Sequence, residues 1–203
     1  MPSARRSALL LACLALPLLG WSRAWAGYEW QGSVDSLIAA VIQQGRSTLG
    51  QRVNAPPVVL RWCRGTYYVP GSRTICFSRS FIDSLATKLG DAAVAYVAAH
   101  EYAHHLQASL PGFLQRARGN VLRIELQADC FAGIILGRRG RISLDSQDIK
   151  EMLAAAVLLG DQEYDSRNHH GDGENRALAL RSGLRYGASG KRDNYFDLFC
   201  RIN

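Results

Sequence analysis

The segment HEYAH contains two histidines and a glutamate that together could support zinc chemistry. His100 and His104 are four residues apart in a predicted helix, so both imidazoles should lie on one face and reach a single ion. Glu101 lies beside His100, where it could take a proton from a water molecule held by that ion. We therefore predict His100 and His104 as zinc ligands and Glu101 as the general base. His105 should point away from this face, as a surface histidine or as a support for a ligand.

A third ligand is needed, because a catalytic zinc site takes three protein ligands and leaves one position open. Glu125 and Asp129 are again four residues apart on a predicted helix, and two carboxylates facing an alanine-rich core need a positive partner. We predict Glu125 as the third ligand and Asp129 as the acceptor of a hydrogen bond from one ligand histidine. In the alternative interpretation, both carboxylates form surface ion pairs with Arg123 or Arg116.

Helices should carry these residues, and the spacing of apolar positions predicts where they lie. The first expected helix starts after a capping Ser33 and ends at Gly50, and the second is capped by Asp91 and spans Ala92–Leu110. Three more helices are expected over Asn120–Arg138, Ser146–Leu159 and Asp172–Tyr186. Helices thus dominate the chain after Ser80.

The predicted strands are short and precede the histidine helix. Val58–Leu60 is rich in β-branched residues, and Tyr67–Val69 and Thr74–Phe77 flank a turn at Pro70 and Gly71. We expect Thr74–Phe77 to be an edge strand that could pair with an extended peptide. The predicted fold class is α+β: a mostly helical domain with a small sheet before the HExxH helix.

The first residues resemble an export signal. Arg5 and Arg6 precede the apolar run Ala8–Leu19, and the small-x-small sequence at 24–26 predicts cleavage after Ala26. The alternative is an uncleaved anchor, but the run falls short of the roughly 20 residues that cross a bilayer. We predict a signal peptide over residues 1–26 and one metallopeptidase domain over residues 27–203, with no stable membrane insertion of the mature chain.

Cysteine number supports export to the periplasm or secretion. With Cys13 in the signal, an even number remains for an oxidising compartment, so two disulfides are expected. Of the three pairings open to them, we favour Cys63–Cys76, which would close a hairpin-like segment, and Cys130–Cys200, which would fix the C-terminus.

Net charge gives no reason to expect a nucleic-acid partner. The formal value of +7 includes Arg5, Arg6 and Arg23, so removal of the signal leaves +4. The arginines at positions 138, 139 and 141 form the densest basic cluster. We interpret that cluster as a solvated helix end.

Several segments together resemble one family. His100–Gln107 (HEYAHHLQ) and Glu125–Gly133 (ELQADCFAG) resemble paired motifs of the bacterial putative neutral zinc metallopeptidase family. Asn168–Arg176 is similar to its HG-containing segment and Cys200 to its late cysteine. Ala103 replaces the usual glycine, and positions 172–175 depart from the usual small residue and glutamine.

The resemblance covers about Val58 to Cys200 and implies a gluzincin-like site. In that pattern His100, His104 and Glu125 hold Zn2+, and Glu101 is the base.

A second donor facing the metal is expected in such enzymes, to stabilise the oxyanion or protonate the leaving amine. We predict His170 for this role, with His169 as the other candidate. The alternative is a loop histidine that interacts with the helix beginning near Asp172.

The leading hypothesis is a zinc-dependent metallopeptidase that hydrolyses peptides or proteins. The alternative is a non-catalytic exported zinc-binding or interaction protein, whose closed site would need a fourth protein ligand such as Asp129 or His170. A third interpretation keeps the enzyme and makes cell-wall peptide cross-links its substrate. The sequence leaves cleavage preference and oligomeric state open.

Overall fold

Three strands and six α-helices make up the part of the chain that the computed structural model describes, residues 32–112, 120–161, 171–191 and 200. The helices are α1 (Val34–Thr48), α2 (Arg79–Leu89), α3 (Asp91–Ser109), α4 (Val121–Gly137), α5 (Ser146–Leu158) and α6 (Gly173–Ala188), and a short 3-10 helix covers Gly50–Val53. The strands are β1 (Val59–Cys63), β2 (Tyr67–Val69) and β3 (Thr74–Ser78). The α+β, mostly helical class is confirmed.

Polar residues start most of the helices where the sequence predicts. The side chains of Ser33, Asn120 and Asp172 accept hydrogen bonds from backbone N–H groups in the first turns of α1, α4 and α6. The prediction for α3 is wrong by one residue, because Gly90 both ends α2 and caps α3, and Asp91 is already helical. Gly90 has φ 108°, a conformation that favours glycine, and allows the chain to turn at once from one helix to the next.

The sheet has the order β1-β3-β2, so β3 is its central strand. The turn at Pro70 and Gly71 connects β2 antiparallel to β3, as expected. The prediction that Thr74–Phe77 forms an edge is wrong, because β1 pairs in parallel with the other side of β3. Every residue of β3 is buried, and the edge strands are β1 and β2.

Both predicted disulfides are present. Cys63–Cys76 joins β1 to β3, and Cys130–Cys200 ties Cys200 to α4. None of the helices in the described ranges combines the length and apolar character needed to cross a membrane. The predicted signal peptide lies outside those ranges.

Helix α3 runs through the core and carries the histidine motif into it. Of its 19 residues, 15 are buried, and many of these are alanines that let α1, α4, α5 and the sheet approach closely. His100 and Glu101 therefore lie in a desolvated setting, 7% and 8% exposed. A polar side chain held there requires specific partners.

Glycines bring α6 directly against α4. A Cβ atom on Gly183 would overlap the carbonyl oxygen of Cys130, and one on Gly133 would overlap that of Leu180. This close approach places the start of α6, with Arg176, beside the carboxylate of Asp129 on α4.

We expect Gly183→Ala to lower the free energy of unfolding by about 3 kcal/mol, because the two helix backbones must separate to admit the methyl group. Thermal or urea unfolding of the purified protein measures the change. Gly71→Ala is the matched control, since a Cβ there meets no atom within 4 Å, and its stability should stay near that of the parent. Equal stability of both variants would contradict the tight packing of α6.

Candidate metal centre

Three side chains converge where α3 and α4 face each other. His100 Nε2 and His104 Nε2 are 3.0 Å apart, and the Glu125 carboxylate oxygens lie 3.2 Å from the first and 3.6 Å from the second. Each residue offers one such ligand atom, and these atoms lie within 4.8 Å of one another. The structure thus brings together the three residues that the sequence predicts as ligands.

The donor set suits zinc. Two imidazole nitrogens one helical turn apart and a carboxylate from a second helix match the three-ligand arrangement of catalytic zinc sites. The short distances between polar atoms also fit a shared cation, since a carboxylate and two nitrogen lone pairs aimed at one point need positive charge between them.

Glu101 faces the cleft beside these ligands. Its side chain is buried, and no hydrogen-bond partner for its Oε2 atom is found within the described part of the chain. Burial raises the pKa of this carboxyl, and the neighbouring histidines His104 and His100 oppose that effect. A buried carboxylate oxygen without a polar partner among the described residues is therefore left beside the ligand histidines, in a residue that lines the cleft.

Asp129 is fully buried and orients His100. Its Oδ1 atom lies 2.8 Å from His100 Nδ1 and accepts a hydrogen bond of 2.6 Å from the Tyr96 hydroxyl. An Nδ1–H that donates to Asp129 leaves the Nε2 lone pair directed at Glu125 and His104. The structure therefore places Asp129 beside His100, one of the two histidines predicted to donate a hydrogen bond to it. Because Asp129 is fully buried, it forms no ion pair at the surface.

Gln107 orients His104 through its Nδ1 atom, as Asp129 orients His100. Its Oε1 atom lies 2.9 Å from His104 Nδ1, and its amide nitrogen donates to the carbonyl oxygen of Ile124 on α4. Sequence reasoning missed this residue. Its position three residues after His104, on the same helix face, was the available signal.

Arg176 is a second residue that sequence reasoning missed. This buried side chain, from the first turn of α6, donates from Nε to Asp129 Oδ2 at 2.8 Å and from Nη2 to Asp129 Oδ1 at 3.1 Å. Its Nη2 atom also lies 3.8 Å from Glu125 Oε2, and Nη1 donates to the Leu159 carbonyl oxygen. The sequence shows that two buried carboxylates need positive charge nearby, but zinc and the histidines could meet that need without an arginine.

The charges of the cluster favour a cation. Burial alone would lower the pKa of His100, but the charge of Asp129 and hydrogen bonds to Asp129 and Glu125 raise it to about 10. Burial alone would raise the pKa of Glu125 and of Asp129, but their contacts with His100 outweigh burial and lower both pKa values. The carboxylates thus stabilise a positive charge at His100, which a proton or a divalent cation can supply.

A cleft of about 680 Å³ opens beside the cluster. Its walls come from β2, the start of α2, α3, α4 and α6, and include the side chains of Tyr67, Tyr68, Phe81, Ile124 and Leu159. Both His100 and Glu101 line it. The size and the mixture of apolar walls with a few polar groups are typical of ligand pockets.

His105 is not one of the converging ligands and is buried, so its interpretation as a surface histidine is wrong. Its Nε2 atom is 2.9 Å from the carbonyl oxygen of Pro56, and its Nδ1 atom is 3.0 Å from the Tyr68 hydroxyl. An Nε2–H that donates to Pro56 leaves Nδ1 to accept from Tyr68. His105 therefore fixes the edge strand β2 against α3.

His169 and His170 lie outside the described residues, and the role given to His170 stays a prediction. Within the described ranges a second group of ligand-type atoms comes from Asp91, Asp148 and Glu151. These donors are oxygens only, a set that suits calcium or magnesium more than zinc. Such acidic groups are common without an ion.

Comparison with known proteins gives relatives whose own functions are undescribed. The chain is 36% identical over 119 residues to the uncharacterized protein Rv2575 of Mycobacterium tuberculosis, covering 48% of this chain and 40% of that protein. It is 37% identical over 121 residues to the uncharacterized protein YpfJ of Escherichia coli K12, covering 51% and 42%. The match therefore spans about two fifths of each relative's length. No solved structure matches the chain.

Residues 49–198 match a family described as "Putative neutral zinc metallopeptidase". This range contains the histidine helix, the Glu125 helix and Arg176, and it covers 150 of the 203 residues. By that extent of match, the chain belongs to the putative neutral zinc metallopeptidase family.

Proposed function

We propose that this protein is a zinc-dependent peptidase in which His100, His104 and Glu125 hold the ion and Glu101 is the general base. The observation that carries the proposal is the convergence of the three ligand atoms beside the unpartnered oxygen of Glu101. Ligands alone would suit many zinc proteins. The desolvated Glu101 carboxylate, which lies next to these ligands in a residue that lines the cleft, suits a zinc protein that activates water.

A zinc ion held by His100, His104 and Glu125 would supply Lewis-acid chemistry, which makes water more acidic and polarises a carbonyl group. The Glu101 carboxylate can accept a proton from water in the cleft and return it to the leaving amine. His170 remains our predicted donor to the oxyanion or the leaving amine.

The surrounding residues hold the ligands in place. Asp129 and Gln107 each engage the Nδ1 atom of one histidine, which directs both Nε2 atoms to the same point. Arg176 fixes both oxygens of Asp129 and offsets its charge. In this proposal α6 supports the metal centre without supplying a ligand.

A peptide is the substrate class that the cleft supports best. The edge strand β2 contributes Tyr67 and Tyr68 to the wall of the cleft, and an edge strand can pair with an extended peptide through its backbone. The role predicted for Thr74–Phe77 therefore passes to β2. Aromatic and aliphatic side chains beside the cluster would contact the apolar side chains of that peptide.

The non-catalytic alternative requires a fourth protein ligand. Asp129 is poorly placed for this, because it engages His100 through Nδ1, the nitrogen that points away from Glu125 and His104. Both of its oxygens also accept hydrogen bonds from Arg176. His170 is the remaining candidate for a closed site.

We also propose that residues 1–26 are a signal peptide and that residues 27–203 act outside the cytoplasm as one domain. The two disulfides support this location, because such bonds persist in oxidising compartments.

Metal analysis of the purified mature protein tests the proposed ligand set. We expect about one zinc per chain in the parent protein and loss of stoichiometric zinc in Glu125→Ala, because two histidines alone leave the ion without its carboxylate ligand. Glu174→Ala, at an exposed glutamate of α6, is the matched control and should retain zinc. Zinc retained by Glu125→Ala would move the third ligand to another residue, and a parent protein without affinity for zinc would overturn the proposal.

A further inference from the structure

The described wall of the cleft beside the metal centre has one charged side chain that the proposed mechanism does not use. Apart from histidines, four charged residues line that wall: Arg64, Glu101, Glu125 and Arg176. Glu101 and Glu125 act at the metal centre in the proposed function, and Arg176 pairs with Asp129. Arg64 remains, on the loop between β1 and β2. Away from the metal centre, the described wall thus offers a positive group and no acidic one.

The guanidinium group of Arg64 has no partner among the described residues. Its side chain is exposed and takes part in no hydrogen bond, ion pair or ring contact with them. Arg79 differs, because its Cζ atom lies 3.5 Å from the centre of the Trp62 ring and its Nη2 atom lies 3.5 Å from Asp35 Oδ2. An arginine without such partners keeps its planar fork of donors for an incoming oxyanion.

The backbone on both sides of Arg64 is fixed to the central strand. The residue before it, Cys63, forms the disulfide with Cys76. Two residues after it, Thr66 Oγ1 accepts a hydrogen bond of 3.0 Å from the Ser78 N–H. Cys76 and Ser78 both belong to β3, which is buried throughout. The loop therefore holds the backbone of Arg64 at the cleft, and only its long side chain has to be ordered when a ligand binds.

We propose that Arg64 binds a carboxylate of the peptide substrate and so determines specificity. This inference rests on the proposed peptidase function and deepens it. The carboxylate of an acidic side chain or of a free C-terminus presents two oxygens that match the guanidinium fork. Near the ligands such a carboxylate would meet Glu101 and Glu125, so it is favoured at the Arg64 end of the cleft. A basic side chain at that end would be repelled by Arg64.

The place of Arg64 in the chain predicts where that carboxylate lies on the peptide. Arg64 comes three residues before Tyr67, the first residue of the edge strand β2. Because a strand advances roughly 3.3 Å per residue, a peptide paired with β2 should pass Arg64 within about three residues of the one beside Tyr67. The preference for a carboxylate should therefore be confined to one or two positions of the peptide.

A glutamate scan tests the proposal by binding as well as by hydrolysis. The probes are uncharged decapeptides, acetylated and amidated at their ends, with one glutamate placed at each position in turn and a glutamine series as reference. We expect glutamate at one or two positions to bind the zinc-loaded Glu101→Gln protein about fivefold more tightly than glutamine does, the upper range for a partly exposed ion pair. Isothermal titration measures binding, and kcat/KM of the parent protein should show the same preference.

Substitutions of Arg64, made in the same Glu101→Gln background, assign the preference to this residue. Arg64→Gln should abolish it and leave the affinity for the glutamine peptides within twofold, and Arg64→Glu should favour lysine at the same positions. Arg61→Gln is the matched control, because it removes the same charge from an exposed position of β1 that does not line the described wall. It should keep the preference.

Peptides with free C-termini distinguish the two sources of the carboxylate. If Arg64 binds the C-terminal carboxylate, these peptides should bind more tightly than their amides, and internal glutamate should add nothing. Either source supports the proposal when Arg64→Gln removes its effect.

The outcomes separate this proposal from the peptidase proposal. Binding and cleavage that ignore carboxylates, or a preference that survives in Arg64→Gln or is lost equally in Arg61→Gln, would overturn the role of Arg64 and leave the peptidase standing. Carboxylate-dependent binding without hydrolysis by the zinc-loaded parent would instead retain the carboxylate site and overturn the peptidase function. No binding of any peptide would overturn both.

Discussion

Replacing Glu101 with glutamine is expected to leave zinc bound and to lower kcat for peptide hydrolysis by about 10²–10⁴-fold, the usual contribution of a general base. The amide keeps the shape of the side chain but cannot accept a proton from water at neutral pH. Glu101 supplies none of the converging ligand atoms, so zinc content should stay near one per chain. Mass spectrometry of a defined peptide mixture measures turnover, and elemental analysis measures zinc.

The combination of the two readouts makes the Glu101→Gln experiment specific. Glu174→Gln, at an exposed position, is the matched control and should keep both zinc and turnover. Hydrolysis by Glu101→Gln at the parental rate would show that another group takes the proton. Loss of zinc in the same variant would instead make Glu101 part of the metal binding.

Local patterns were enough to predict the elements that build the metal centre. The spacing of His100 and His104, and of Glu125 and Asp129, works because each pair lies on a single helix, where residues four apart share a face. The burial of His100 then follows from the alanine-rich sequence of α3, which packs closely against its neighbours. The disulfide pairings could be predicted for a similar reason, since one closes a short segment that folds back on itself.

Several features that depend on contacts between distant segments were not predicted. The parallel pairing of β1 with β3 makes β3 central, and nothing in the strand sequences distinguishes that order from a simple meander. Arg176 reaches Asp129 only because Gly183 and Gly133 let α6 approach α4. Gln44 on α1 likewise donates a hydrogen bond to the carbonyl oxygen of Ile135 on α4, which is 91 residues away in sequence. Each case requires the tertiary arrangement before the partner is known.

Substituting Arg176 with methionine should lower the free energy of unfolding of the metal-free protein by about 3–5 kcal/mol, the usual effect of removing one partner from a buried ion pair. Asp129 has no exposed surface, so without Arg176 its charge would stay buried with only the Tyr96 hydroxyl and His100 as donors among the described residues. Arg176→Lys keeps the charge but loses the two parallel hydrogen bonds, and should fall between the parent and Arg176→Met. Arg181→Met, at an exposed arginine of the same helix, should change stability little.

A double-mutant cycle with Asp129→Asn separates the ion pair from simple loss of packing. The neutral amide introduced by Asp129→Asn no longer needs a counter-charge, so Arg176→Met should be much less destabilising in that background, with a coupling energy within the roughly 0.5–3 kcal/mol seen for contacting residues. Urea unfolding after removal of metal by a chelator gives all four free energies without a contribution from zinc. Additive effects would mean that Arg176 stabilises the fold by packing alone. Strong coupling would show that the cluster holds Asp129 as a charged group before the ion binds, so that His100 is already oriented to receive it.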